Sequence, residues 1–169
     1  MTSLNDILNK KLEITRLREL LPARSKVVLY DTLARDKRGR GEVLKNLDSL
    51  IVLYEGTINK KRAGHYVVLL PRAHHIEYFS SLARSPSDEM SAFHEDPGVF
   101  KRLLGKNFTY NRKKLQMNSY TLQDCGYWVL ARAILHKLKI AQFQRLFKPL
   151  SLRSSDECLG MMSILVANL

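Results

Sequence analysis

A polar, turn-rich stretch, Leu115-Gln116-Met117-Asn118-Ser119-Tyr120-Thr121-Leu122-Gln123-Asp124-Cys125-Gly126, runs straight into Tyr127-Trp128-Val129-Leu130. From Trp128 onward the chain is apolar nearly all round a helical projection: Trp128, Val129, Leu130, Ala131, Ala133, Ile134, Leu135 and Leu138. A helix that is apolar on every side is a buried helix, so the chain has to fold around it. The pattern predicts a helix over Cys125 to Lys139, with Asp124 as its N-cap and with Arg132, His136 and Lys139 on its one wet edge. A cysteine is thereby set at the amino end of the helix, where the dipole and free backbone N–H groups favour thiolate over thiol. A buried central helix is also a rigid mount for a nucleophile at its tip.

The remaining elements can be read around that helix. Thr2 to Leu21 carries Leu4, Ile7, Leu8 and Leu12 at helical spacing, with Pro22 just beyond its end. Lys26 to Tyr30 is a short strand, Asp36 to Gly41 a charged loop, and Glu42 to Leu47 a helix. Leu50 to Tyr54 and His65 to Leu70 are continuous apolar runs, and His75 to Phe79 comes after a tight connection. Runs this apolar imply strands covered on both faces. Ser85 to Asp88 reads as a loop, Glu89 to Leu104 as mostly helix, Phe108 to Gln116 as a strand, and Ala141 to Phe147 and Ser155 to Asn168 as helices. The expected class is α+β: a small mixed sheet flanked by helices, with a central buried helix carrying the cysteine at its N-terminus. A chain of 169 residues fits a single domain. We divide it into an N-terminal helical and strand extension (1–48), a core (49–140) and C-terminal helices (141–169).

Composition excludes some classes. No apolar run is long enough to cross a membrane, and Met1 to Asn9 lacks the layout of a secretion signal. Two cysteines are too few for a disulfide framework, which points to a reducing compartment. Neither cysteines nor histidines show metal-ligand spacing, so no metal and no cofactor is expected. The formal charge of +12 is scattered in short clusters such as Arg35 to Arg40, Lys60-Lys61-Arg62 and Arg112-Lys113-Lys114. It fits either a solvated surface or a folded protein that works beside nucleic acid.

A cysteine nucleophile needs a base, a group that orients the base, and donors for the oxyanion. Of the five histidines, His65 stands apart because it opens an apolar strand directly after Gly64, where it can face a cleft. His74 and His75 lie in a turn, His94 in a charged helical stretch, and His136 several turns from the tip of the cysteine helix. Cys158 sits beside Asp156 and Glu157, which raise a thiol's pKa, and reads as filler.

Chain order and local sequence resemble the adenovirus-endopeptidase and Ulp-type (SUMO protease) clan of cysteine proteases. The resemblance lies in Gly64-His65-Tyr66-Val67-Val68-Leu69, in Ile76-Glu77-Tyr78-Phe79-Ser80-Ser81-Leu82, and in Tyr110-Asn111 through Gln116 with Asp124-Cys125-Gly126-Tyr127-Trp128 after it. The spacing from Gln116 to Cys125 looks most like the maturation proteases of double-stranded DNA viruses, virophages and Polinton-type elements. The likeness covers roughly Leu50 to Leu138. It implies Cys125 as nucleophile, His65 as base, and the Gln116 side-chain amide, with the Cys125 backbone N–H, as oxyanion donors. Gln123 and Asn118 are rivals to Gln116. Tyr66 stands where the family has Trp. Ser80 stands where the family has an acid, and serine can accept from the imidazole but cannot stabilise imidazolium by charge. Glu77 is close in sequence, but period-two alternation puts it on the opposite strand face, so Ser80, Glu77 or no group at all could complete the site.

The resemblance implies an endopeptidase that processes viral structural (capsid) precursors, preferring small residues near the scissile bond. Its partners would be those precursors and, through the basic surface, DNA. It would act in the virion and in the host-cell cytoplasm or virus factory. Two alternatives keep parts of this pattern. One is a deconjugating protease for a ubiquitin-like modifier, and the other a non-catalytic nucleic-acid-binding structural protein.

Overall fold

A computed structural model describes residues 12–58, 60–93, 96, 98–116 and 125–147. Five strands form one mixed sheet in the order β1-β2-β3-β4-β5: β1 (Ser25–Leu29), β2 (Ser49–Ile58), β3 (Lys61–Pro71), β4 (Ile76–Ser80) and β5 (Phe108–Tyr110). The inner pairs β2–β3 and β3–β4 are antiparallel, and the outer pairs β1–β2 and β4–β5 are parallel. Around the sheet lie α1 (Ile14–Leu20), α2 (Tyr30–Arg35), α3 (Arg40–Val43), α4 (Pro86–Phe93), α5 (Gly98–Leu104), α6 (Cys125–Ile134) and α7 (Ile140–Leu146).

Strand alternation sorts the apolar side chains onto two faces. Ile51, Leu53, Tyr66, Val68, Leu70 and Phe79 join Trp128, Val129 and Ala133 of α6, Leu17 of α1 and Phe143 of α7 in one core. Leu50, Val52, Tyr54, Val67, Leu69, Ile76 and Tyr78 face the other way, against Tyr30, Leu33, Met90, Phe93, Phe100 and Leu103 of α2, α4 and α5. A sheet covered on both faces is why its central strands read as unbroken apolar runs. The fold is α+β, a five-stranded mixed sheet flanked by helices. β1, from the N-terminal part of the chain, pairs with β2 along all of its length.

Several local expectations are corrected. The strand expected to open at His65 begins at Lys61, so His65 lies inside it rather than at its start. The expected helix over 42–47 is a single turn ending at Val43. The helix expected from Glu89 begins at Pro86, because Ser85 caps it. The Ser85 hydroxyl accepts from Asp88 N at 3.2 Å and donates to Asp88 Oδ2 at 2.6 Å, and proline suits the first helical position. The strand expected over 108–116 stops at Tyr110, because the Asn111 side chain takes over the pairing. Its Oδ1 accepts from Ser80 N at 3.0 Å and its Nδ2 donates to Ser80 O at 2.7 Å. α6 ends at Ile134, and Arg132 is fully buried rather than on a wet edge. The Asp124 cap, most of the 2–21 helix, the 155–168 helix, His94 and Cys158 lie outside the described residues.

Candidate active site

β4 pairs with β3 only as far as Val67↔Ser80. His65 lies two residues further along β3, on the same face as Val67, and Ser80, directly opposite Val67, faces the same way. The two side chains therefore meet at the end of β4. His65 Nε2 is 3.1 Å from Ser80 Oγ, and both residues are buried. The Ser80 hydroxyl donates to Glu89 Oε1 at 2.5 Å, so it receives the Nε2–H of His65 as acceptor. The same carboxylate oxygen is 3.4 Å from His65 Nε2. With Nε2 so engaged, Nδ1 is the ring nitrogen left for Cys125, whose sulfur hydrogen-bonds the imidazole.

This placement dictates the electrostatics. Burial alone would push His65 down, but hydrogen bonding and electrostatic interaction with Cys125 and Glu89 overcome it and raise the imidazole from 6.5 to about 9. Burial likewise pushes Glu89 up, yet the hydrogen bond and charge of His65, the Ser80 hydroxyl and the Arg84 charge hold it below the ordinary carboxylate range. The result is a protonated imidazole between a sulfur and a carboxylate, inside the protein.

Glu89 is the residue that sequence reasoning missed. Its signal was present. Pro86, Glu89, Met90 and Phe93 form the buried stripe of α4, so the glutamate occupies a core position of an amphipathic helix. A buried carboxylate needs a partner, and His65 and Ser80 are the partners. Glu77 is not part of this cluster. Its Oε1 and Oε2 accept from Arg132 Nε and Nη2 at 2.9 and 3.0 Å, and Oε2 also accepts from Arg72 at 2.8 Å. Arg132 in turn donates to Leu135 O and Leu138 O at 2.7 and 2.9 Å. Glu77 thus ties the sheet to the carboxyl end of the cysteine helix, on the face away from Ser80, as strand alternation requires.

Cys125 is the first described residue of α6, buried and not in a disulfide. Gly126 lets the helix start pack closely. A Cβ there would lie 2.9 Å from Leu12 Cβ and 3.5 Å from Tyr66 Cε2. Tyr66, next to His65, is buried and donates its hydroxyl to Leu12 O at 3.3 Å. Gln116 is buried as well. Its backbone N–H donates to Ser81 O at 3.1 Å and its Oε1 accepts from the Ser81 hydroxyl at 2.6 Å. Its Nε2 has no hydrogen-bond partner among the described residues. Cys125, His65 and Ser80 are thus linked, and Gln116 joins them through the neighbour of Ser80. Asn118 and Gln123 lie outside the described residues. His74 and His75 stand apart, lining a pocket of about 230 Å³ with Arg40 and Arg72, and the His136 ring is bonded to Ala133 O at 3.0 Å.

Among the described residues no group of three or more His, Cys, Asp and Glu side chains could hold a metal, and no helix is long and apolar enough to cross a membrane.

No family model matches the chain. It is 25% identical over 142 residues to a protein of Sputnik virophage described as uncharacterized protein V9, covering 75% of this chain and 77% of that one. Among solved structures it is similar to the SUMO protease Ulp1 with its catalytic cysteine oxidized to a sulfinic acid, at 16% identity and a TM-score of 0.37 over 90% of this chain and 72% of that one. It is also similar to ChlaDub1 from Chlamydia trachomatis, at 17% identity and a TM-score of 0.42 over 88% and 68%.

Proposed function

We propose that the protein is a cysteine endopeptidase of the adenovirus-endopeptidase and Ulp-type clan, acting on viral structural precursors. The observation that carries the reading is the buried imidazole of His65, bonded to the Cys125 sulfur on one side and to Ser80 and Glu89 on the other. In this reading the Cys125 thiolate attacks the carbonyl carbon of the scissile peptide. The carbonyl oxygen takes the negative charge and is met by Gln116 Nε2 and the Cys125 backbone N–H. His65 gives its proton to the leaving amine as the carbon–nitrogen bond breaks. A water, deprotonated by His65, then attacks the thioester, releasing the acid and regenerating the thiolate. Glu89, acting directly and through Ser80, stabilises the imidazolium and fixes the ring with Nδ1 toward the sulfur.

The viral setting is supported by the spacing of the cysteine block and by the likeness to the virophage protein. The substrates would be capsid precursors, met in the virion or the virus factory. The +12 charge supports a DNA partner, which predicts that cleavage is accelerated by duplex DNA and that the acceleration is lost at high salt.

Iodoacetamide labelling tests the chemistry. Cys125 is expected to alkylate much faster than Cys158 near neutral pH, and His65→Ala to slow it. Equal, slow labelling of both cysteines would remove the protease reading. If a ubiquitin-like fusion were cleaved in preference to a capsid precursor, the deconjugating assignment would replace the maturation one with the same site chemistry.

A further inference from the structure

The two serines that end β4 serve different halves of the candidate site. Ser80 faces His65 and Glu89, whereas Ser81 reaches Gln116. Their Cα atoms are about 3.8 Å apart across one peptide bond, so any shift of this dipeptide moves base and oxyanion donor together. Asn111 clamps the backbone N–H and C=O of Ser80. Leu115 N and Gln116 N both donate to Ser81 O, at 2.9 and 3.1 Å. The chain then turns sharply, with Ala83 N bonded to Ser80 O at 2.9 Å and Ala83 at φ +58°.

A glutamine amide can serve an oxyanion only in one orientation. Flipped by half a turn, it would present its carbonyl to the developing negative charge and repel it. Backbone bonds fix where Gln116 begins but cannot choose between the two orientations. Among the described residues one side chain is hydrogen-bonded to the amide: the Ser81 hydroxyl, 2.6 Å from Oε1. That separation is the length of an O–H···O bond and short for an N–H···O bond, so the hydroxyl donates and the oxygen end is pinned to Ser81. Both protons of the buried Nε2 are left without a protein acceptor among the described residues. A buried donor left unsatisfied is unfavourable, a penalty that a substrate oxygen arriving at Nε2 removes.

We propose that Ser81 is the positioning residue that sets the polarity of the Gln116 amide, so that its N–H donors face the reacting carbonyl oxygen. The proposal rests on the protease reading and names a further determinant of the same site. Ser81 touches neither substrate nor sulfur and acts through Gln116.

The test uses the full chain, a fluorogenic peptide amide ending in Gly-Gly, and iodoacetamide. Removing an oxyanion donor lowers kcat by about 10²–10³-fold, which sets the expectation for Gln116→Ala. Ser81→Ala is expected to lower kcat by about tenfold or more with KM little changed. Ser81→Thr, which keeps the hydroxyl, is expected to restore most of it. Alkylation by iodoacetamide passes through no oxyanion, so Cys125 should label at the wild-type rate in all three variants, which also reports an intact helix and base. In the Gln116→Ala background, Ser81→Ala is expected to add no further loss of kcat. Equal losses from Ser81→Ala with and without Gln116 would overturn the proposal, as would wild-type kcat in Ser81→Ala beside a crippled Gln116→Ala. Both of those results leave the protease reading standing, whereas a wild-type chain that neither hydrolyses the peptide nor labels rapidly at Cys125 removes both.

Discussion

Replacing Glu89 by Gln keeps the shape and the hydrogen bond to Ser80 but deletes one charge. Two unit charges 3.4 Å apart, the His65–Glu89 separation, attract by about 5 kcal/mol at an effective dielectric constant near 20, before the cost of burying them. What survives as a net effect on His65 is a rise from 6.5 to about 9, worth about 3 kcal/mol. Cys125 and Glu89 are the two side chains that sustain the rise, so removing the Glu89 charge is expected to lower the imidazole by about one to two pH units. In the proposed mechanism the acidic form of His65 protonates the leaving amine, so its titration would set the alkaline limb of kcat/KM against pH. Wild-type protein is expected to show that limb near pH 9, and Glu89→Gln to show it near pH 7.5. At pH 8.5 the variant should then be about tenfold slower or worse, with the gap closing toward pH 6.5. Glu77→Gln is the control: it removes a carboxylate bonded to Arg132 and Arg72 and should leave the limb in place. Coincident alkaline limbs for wild type and Glu89→Gln would refute the assignment of Glu89 to His65. A limb moved by Glu77→Gln would return the role to the strand.

The same two groups set a pH dependence of stability. His65 is raised on folding, so its contribution is complete below 6.5 and is lost as pH rises through about 9. Glu89 is lowered, so its contribution is complete above 4.5 and is lost as pH falls through its depressed folded value. Thermal melts of wild-type protein are therefore expected to peak between about pH 4.5 and 6.5, and a Glu89→Gln melt that declined as steeply toward pH 9 would contradict the pairing. Gly126→Ala places a methyl against Leu12 Cβ and is expected to cost about 1–3 kcal/mol. A urea midpoint equal to wild type would show that the close approach of residue 12 is not required. Arg132→Ala leaves buried Glu77 with Arg72 as its one partner among the described residues and removes the Arg132 donors from Leu135 O and Leu138 O. A loss of about 3 kcal/mol or more is expected, read by urea unfolding.

What could be read from sequence depended on whether one element or two carried the signal. The β2 and β3 runs and the apolar pattern of α6 are properties of single segments, and a segment buried on one or both faces declares itself by its own periodicity. Alternation along β4 likewise separates Glu77 from Ser80, and the structure keeps them on opposite faces, one toward Arg132 and the other toward His65. Arg132 shows where such reading fails. An arginine in an apolar helix scores as a wet edge, yet it is fully buried because Glu77, fifty-five residues away, meets it bidentately. Glu89 fails for the same reason: its helical spacing marks a core position, but nothing in Asp88-Glu89-Met90 says that the partner is a histidine on β3. The short β5 is a third case. The run after Tyr110 reads as strand, but the Asn111 amide mimics the missing backbone partner and ends the ladder.

These cases explain why a serine can stand where an acid is expected. A carboxylate at position 80 would lie within reach of His65 with nothing between them. The face of the sheet that carries His65 packs against α4, and with Ser80 at that position the acid comes from this helix, as Glu89. The hydroxyl then becomes useful in its own right. It accepts from His65 Nε2 and from Leu82 N at 3.3 Å, and donates to Glu89, so its one proton and both lone pairs are used. Ser80→Ala is accordingly expected to be milder than Glu89→Gln on the alkaline limb, because the carboxylate remains 3.4 Å from the ring. It is expected to be more damaging than a simple methyl swap to stability, because Leu82 N and one Glu89 lone pair lose their partner. A Ser80→Asp variant carries the sharper consequence. It sets a second carboxylate against Glu89, and like charges sharing one site raise one another's pKa, so restoring the acid at position 80 should impair hydrolysis unless Glu89 is neutralised in the same chain. Wild-type activity in Ser80→Asp alone would mean that Glu89 is not charged beside His65, and measuring kcat/KM for Ser80→Asp with and without Glu89→Gln decides the point.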